Sequence, residues 1–443
     1  MFKLYSNSVT CNKVYSLYKH LLNSYVSDFY LEDHWHTKLP ASWRLFLEKL
    51  DVHHIARLLE CQKLNSIVSP LSILCLQEIL QNHSVLRHPT IKTELLLHNP
   101  CFMKLMWKNV KLKKRHEIEI ISNMCYQIAK KTNCFNIIDV GSGVGHLSRM
   151  LAYGYGFTVV TFEANKELSE MAKNLDIEFE KKLEQKKITH LCQKRVIHVN
   201  HKVESNITAD ILISLILSFS NNQMSNFRFG IVGLHPCGNL GSILLKLFKE
   251  CPNAVFINIA SCCYMKLSLN SSEFKGYPLS NFHIKNNFHL DYMSCETACH
   301  AIENFINKLK TENHCYLKIH AFRAALESLL VEKDTAMKHC AVANVKYDDK
   351  LNFVDYCNKA LRKINVQLSE FDIKYFQSIV EQTWDKVVKF YSVRLFFAPI
   401  IESIILYDRL LYLKQSFDDS EILPVFNCEI SPRNHVLSAL KHM

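Results

Sequence analysis

Glycine is scarce in this chain, ten residues in 443, yet three of the ten fall within five positions as Gly141, Gly143 and Gly145. So uneven a distribution argues against incidental, purely structural glycines in that turn. Cysteine is plentiful, seventeen residues, but no C-x-x-C pair occurs, which disfavours a zinc finger and leaves the metal set empty at this level. No secretory leader is recognisable, so the thiols are expected to be free in a reducing compartment, cytoplasm or nucleus. Internal repeats and low-complexity tracts are missing. So is an uncharged bilayer-length run. Ile211–Phe219 is too short to span, and Val393–Leu413 carries Arg394, Glu402, Asp408 and Arg409. Positions 394, 402 and 409 are spaced to share one helical face, so the stretch reads as a core helix bent or started at Pro399.

What is present supports a folded chain. Hydrophobic residues make up 48% and aromatics 11%, enough for a real core, and the length fits two or three domains or one elaborated domain. The formal charge of +11 permits contact with nucleic acid or acidic surfaces without demanding it. Cys295, Cys299 and His300 lie close enough to suggest ligands. Inside an apolar-periodic stretch they read instead as faces of a buried helix.

The segment Ile137–Ile138–Asp139–Val140–Gly141–Ser142–Gly143–Val144–Gly145–His146–Leu147–Ser148 predicts a buried parallel strand, a glycine turn and a helix. Glycines there let backbone N–H groups approach a ligand with no Cβ in the way. The next strand, Val159–Val160–Thr161–Phe162–Glu163, ends in a carboxylate suited to both hydroxyls of a ribose. A dinucleotide fingerprint needs glycine at position 146, where His146 stands. The spacing Asp139-x-Gly141-x-Gly143-x-Gly145 instead fits an S-adenosylmethionine site, which has no pyrophosphate to cradle.

Candidate strands at 136–140, 158–162, 195–199, 230–235 and 254–260 alternate with helices, predicting an α/β, Rossmann-like parallel sheet covered on both faces. Residues 423–430 and 435–440 are strand-like around a turn at Ser431–Pro432–Arg433–Asn434, a hairpin that closes a seven-stranded methyltransferase fold. The expected organisation is a helical region over 1–115, a first part of the core over 116–264, a mostly helical insertion over 265–390, and a closing helix and hairpin over 391–443.

In open parallel sheets ligands sit at the carboxyl ends of the strands. That rule selects the tips after strands one, two, four and five: the glycine turn, Glu163, Leu234–His235–Pro236–Cys237–Gly238–Asn239–Leu240, and Ser261–Cys262–Cys263–Tyr264. His235 suits a base or a group that orients a nucleophile, or equally a hydrogen-bonded histidine that shapes the loop. Cys237 follows proline, as in enzymes that methylate carbon 5 of cytosine through a thiolate adduct, although a small buried apolar cysteine is the commoner meaning. Cys262 and Cys263, adjacent in a strand, are expected to point to opposite faces. No two prolines are adjacent, so the Pro-Pro loop that holds a flipped adenine is missing and adenine-N6 chemistry is disfavoured.

Further segments carry a specific resemblance: Asp33–His34–Trp35 with Leu39–Pro40–Ala41–Ser42–Trp43, Lys113–Lys114–Arg115–His116–Glu117, the glycine turn, and the loops after strands four and five. Tyr277–Pro278–Leu279–Ser280, Arg323–Ala324–Ala325–Leu326–Glu327, Ala398–Pro399–Ile400–Ile401–Glu402 and Ser431–Pro432–Arg433–Asn434 extend it over nearly the whole chain. Together these resemble the methyltransferase-like protein 25/25B family, once labelled as carrying a ribosomal-RNA-adenine-dimethylase domain. The resemblance implies a class I S-adenosylmethionine-dependent methyltransferase whose cofactor contacts are Lys114, His116, Glu117, Asp139, Gly141, Gly143, Gly145 and Glu163; Ser142 and His146, within and next to the turn, are expected at the cofactor as well. Val144 departs from the family's usual lysine at that place in the turn.

The sequence reading is thus a methyltransferase without a membrane span, expected as a monomer. His235, Cys237 and Tyr264 are its catalytic candidates, and its substrate is a macromolecule, RNA or protein. Arg323 and the basic run Lys104, Lys108, Lys111, Lys113, Lys114 and Arg115 are candidate substrate contacts. The rival is a non-catalytic docking module that keeps the fold.

Overall fold

The computed structural model describes residues 1–89, 99–188, 196–219, 227–311 and 314–441. The chain divides into two compact units, one of residues 1–8, 85–290 and 402–443, the other of 9–84 and 291–401.

The first unit is built on seven strands: β1 (Asn136–Val140), β2 (Thr158–Glu163), β3 (Val196–Asn200), β4 (Phe229–Leu234), β5 (Ala254–Ala260), β6 (Ser420–Pro424) and β7 (His435–Leu440). They form one sheet in the order β3-β2-β1-β4-β5-β7-β6. The first five strands run parallel, while β7 lies antiparallel to both β5 and β6. Helices cover both faces, so successive residues of one strand enter different cores. Ile137, Val159 and Phe256 pack with Ile118, Ile121 and Cys125 of the helix Leu112–Thr132. Ile138, Val160 and Ile257 pack with Leu244, Leu245 and Phe248 of the helix Asn239–Glu250. From β1 the chain winds outward through β2 and β3, then returns to β4 on the other side. The β1/β4 boundary is therefore the point where strand order reverses and where the loops diverge to leave a crevice.

The sequence reading of the closing hairpin needs correction. The sixth strand is Ser420–Pro424, not 423–430, and residues 425–434 connect it to β7. Pro424 has no N–H to continue the ladder. The connection is instead held by Val425 N–H donating to the Asn434 carbonyl (2.9 Å) and Ser431 N–H to that of Asn427 (2.8 Å). Residue 195 of the expected third strand lies outside the described residues.

The second unit is helical, with Lys318–Lys333 packed along Glu370–Phe396. Within it the Arg394 guanidinium donates to the Leu22 carbonyl (3.3 Å) and the Thr297 hydroxyl (3.1 Å). A new helix, Ala398–Lys414, starts just before Pro399. Phe397 alone interrupts the helical stretch between Arg394 and Glu402. The stretch Glu370–Lys414 is long and apolar enough to cross a bilayer, but 89% of its most apolar window is buried within the protein. Cys299 turns its thiol to the Cys295 carbonyl (3.2 Å), and His300 pairs with Glu296 (2.9 Å).

Candidate active site

The carboxyl ends of β1, β2, β3 and β4 surround an open cavity of about 830 Å³, lined by Gly141, Glu163, His201, Lys202, Cys237 and Asn239 among others. Glycine shapes its floor. Gly141, Gly143 and Gly145 have φ of +75°, +58° and +73°, a region where an L side chain is strained. A side chain at Gly143 would enter open space.

Glu163 locks this turn. One of its carboxylate oxygens accepts the Gly143 N–H (2.8 Å) and the other the Asn165 N–H (2.9 Å). A carboxylate has about four lone-pair sites, so each oxygen keeps capacity for a hydroxyl. Beneath the turn, Asp139 is buried and accepts the Ser148 hydroxyl (2.5 Å). Burial raises its pKa to about 6, with Ser148, Lys114 and His198 pulling the other way. The Ser142 hydroxyl is buried in the turn with no hydrogen-bond partner among the described residues. An unsatisfied polar atom in a ligand loop, an open glycine and an acceptor at the β2 tip all fit a nucleoside-bearing cofactor.

The helix Leu112–Thr132 brings a second set of groups to the crevice. Glu117, 1% exposed, accepts from the Ser431 hydroxyl (2.6 Å) and bonds His235 Nε2 (3.0 Å), with Lys113 Nζ at 3.8 Å. Burial pushes the Glu117 carboxyl up, but His235, Ser431 and Lys114 outweigh it and leave its pKa below the usual value. His235 itself sits at φ +68°, an unusual backbone for a non-glycine residue, anchored by its N–H on the Ala260 carbonyl (3.0 Å). Burial lowers the Lys114 pKa, while Glu117 and Asp139 raise it. Its ammonium has no hydrogen-bond partner among the described residues.

Other expected site residues lie elsewhere. His116 turns to the β6–β7 connection, where Nε2 accepts the Asn427 N–H (2.9 Å). It is two residues from Lys114, which on a helix is a rotation of roughly 200°. His146 faces Arg149 (3.2 Å), and burial followed by that guanidinium lowers its pKa to about 4. Arg149 in turn pairs with Asp176 (2.5 Å), which also holds His198 (2.7 Å), so His146 belongs to a buried charge network behind the turn. Tyr264, 2% exposed, donates to Glu402 (3.2 Å) beneath the Arg409 guanidinium. Glu402 also binds Arg87 (2.6 Å) and Arg433 (3.4 Å), which makes the Ser431–Asn434 segment a structural clamp rather than a simple turn.

Two expected substrate cations are engaged internally. Arg115 donates to the Val110 (2.7 Å) and Trp107 (2.8 Å) carbonyls, and within the second unit Arg323 pairs with Glu327 (3.1 Å). The sequence reading missed the β3 tip, where Asn200 donates to the Glu163 carbonyl (2.8 Å) and His201–Glu204 line the cavity. A polar run directly after an apolar strand was the available signal.

The adjacent cysteines also differ from expectation. Cys262 and Cys263 follow β5 outside regular strand geometry, with Cys263 at φ −95° and ψ 73°. Alternation to opposite faces therefore fails, and both thiols converge on Cys237 at 3.3 and 3.2 Å. The Cys262 contact lowers the Cys237 pKa to about 5 against the effect of burial.

Residues 113–270 match the family described as Methyltransferase domain. Over 226 residues the chain is 26% identical to the probable methyltransferase-like protein 25 of Homo sapiens, covering 48% of this chain and 36% of that protein. The Mus musculus counterpart is 25% identical over 227 residues, covering 48% and 37%. The match thus spans little more than a third of the curated relatives' length. A solved magnesium protoporphyrin IX methyltransferase from Synechocystis, with bound SAH, aligns over 36% of this chain and 64% of its own at 11% identity. The TM-score of that alignment is 0.22, so the fold assignment rests on strand order and the domain match. Residues 113–270, which carry β1–β5, match a methyltransferase domain, and with β6 and β7 they complete a seven-stranded sheet of Rossmann-like class I order, in a chain similar to methyltransferase-like protein 25.

Proposed function

We propose that the chain transfers a methyl group from S-adenosylmethionine to a macromolecular acceptor. The observation that carries this reading is the glycine turn pinned by Glu163 beside an open cavity, within a matched methyltransferase domain. When bound, the cofactor supplies an electrophilic methyl on a sulfonium. Glu163 holds the ribose hydroxyls with its remaining lone pairs while its backbone contacts keep the turn closed. Lys114 supplies a partly desolvated cation for the amino-acid carboxylate, and Asp139 supports the turn from beneath. His235 sits at the β4 tip as the candidate for orienting or deprotonating the acceptor, and Glu117 is its positioning residue. Much of the rate comes from alignment of the acceptor with the methyl group, which a rigid turn and a fixed imidazole favour.

The +11 charge favours RNA as the acceptor class over protein. The test is transfer of tritiated methyl groups to RNA and protein fractions, comparing wild type with Glu163→Ala. Label that enters RNA and disappears in the variant supports the reading. Label confined to protein overturns the RNA assignment. No label in either fraction, with cofactor bound normally, overturns catalysis and favours a docking module.

A further inference from the structure

The loops after β4 and β5 bring three thiols into a nearly equilateral triangle. Cys237 lies 3.3 Å from Cys262 and 3.2 Å from Cys263, and Cys262 lies 3.4 Å from Cys263. The three sulfurs form one of the two clusters of metal-ligating atoms among the described residues. The other, Asp28, Glu327 and His339, already pairs with the Lys338 and Arg323 cations. No disulfide joins the described cysteines, and no pair within the triangle is distinctly closer than the others.

The triangle is built into the backbone. Gly238 has φ +57°, and a Cβ there would lie 2.7 Å from the Lys266 carbonyl oxygen, so only glycine lets the two loops meet this closely. Asn239 fastens them. Its side chain donates to the Ser268 hydroxyl (2.7 Å) and accepts the Ser268 N–H (2.8 Å). His235 holds the start of the first loop in its left-handed conformation. Thiols fixed by two clamped loops are preorganised for a shared ligand.

We propose that Cys237, Cys262 and Cys263 form a three-thiolate site for a thiophilic cation of the zinc(II) type, with one coordination position left open. Three sulfurs bound tetrahedrally at about 2.3 Å stand roughly 3.8 Å apart, so the triangle needs to open by only about half an ångström. Soft thiolates select zinc over hard cations, and the three thiols release their protons on binding. Cys237 is exposed and lines the cavity, which gives the ion an entry path. Three protein ligands rather than four is the pattern of sites that take a substrate or water donor. The site stands whether or not the cavity takes S-adenosylmethionine.

The test uses the full chain, reduced and stripped of metal, titrated with cobalt(II) and then with zinc(II). The expected result is one equivalent of cobalt with a thiolate charge-transfer band and tetrahedral ligand-field bands, displaced by one equivalent of zinc. Cys237→Ser, Cys262→Ser and Cys263→Ser should each weaken zinc binding by at least ~100-fold in competition with a chromophoric chelator, because losing a ligand costs at least as much as losing an outer-shell partner. The exposed Cys75→Ser should leave it unchanged. Circular dichroism confirms that each variant is folded, and zinc should raise the melting temperature of wild type but not of Cys237→Ser. Folded wild type without the cobalt bands overturns the site, as does undiminished zinc affinity in any one of the three serine variants.

Discussion

Replacing Glu163 with glutamine changes one oxygen to an amide nitrogen and removes one charge. Both carboxylate oxygens accept a backbone N–H, from Gly143 at 2.8 Å and Asn165 at 2.9 Å. The amide has only one acceptor oxygen, so its NH2 must face one of these donors and leave it unsatisfied. Such a loss costs about 1–3 kcal/mol of stability. At roughly 2–4 °C per kcal/mol for a domain of this size, melting should fall by roughly 2–12 °C. Ligand affinity should fall further, because the ribose hydroxyls lose a charged acceptor as the turn loosens. We expect a loss of about 2–4 kcal/mol, roughly 30- to 1,000-fold in Kd for S-adenosylhomocysteine. Calorimetric titration measures the affinity and differential scanning calorimetry the stability. A Glu163→Gln protein that binds within threefold of wild type would refute the assignment of Glu163 to the ribose.

Lys114→Met should weaken S-adenosylhomocysteine about tenfold but leave 5′-methylthioadenosine, which lacks the amino-acid carboxylate, within twofold; equal losses for both would remove Lys114 from that role. His116→Ala should leave cofactor affinity within about twofold and cost about 1 kcal/mol of stability, since its ring bonds Asn427. A tenfold affinity loss would restore it to the site. Glu402→Gln should cost about 3–5 kcal/mol in denaturant unfolding at neutral pH by leaving Arg87 and Arg433 without their carboxylate. Burial pushes the Glu402 pKa up, but Arg433, Arg87 and His435 hold it well below the usual value. Its contribution is therefore complete above about pH 5 and is lost progressively as the pH falls from the ordinary carboxylate value toward the depressed one, so the glutamine variant should show a flatter stability profile there.

The five parallel strands were legible because burial on both faces leaves continuous apolar runs, as in Ile137–Ile138 and Val159–Val160. The glycine turn and Glu163 were legible because the backbone conformation itself demands those residue types. Side-chain direction was harder to read. Lys114, His116 and Glu117 come together as what the family resemblance implies, yet helical rotation turns the His116 ring to Asn427 and away from the other two. Tyr264 follows Cys262 and Cys263 in sequence, but its hydroxyl is satisfied by Glu402, a residue 138 positions away. Such a pairing leaves no local pattern. The cysteine triangle was hidden for a related reason. Alternation governs regular strands, and β5 ends just before Cys262.

Calorimetric titration of the purified chain with S-adenosylmethionine and S-adenosylhomocysteine, alongside Gly143→Asp, asks whether the glycine turn holds the cofactor. That substitution puts a carboxylate into the open space above the turn, beside Glu163. Saturable one-to-one binding by wild type and none by the folded variant is the expected result. Folded wild-type protein that binds neither ligand would contradict it.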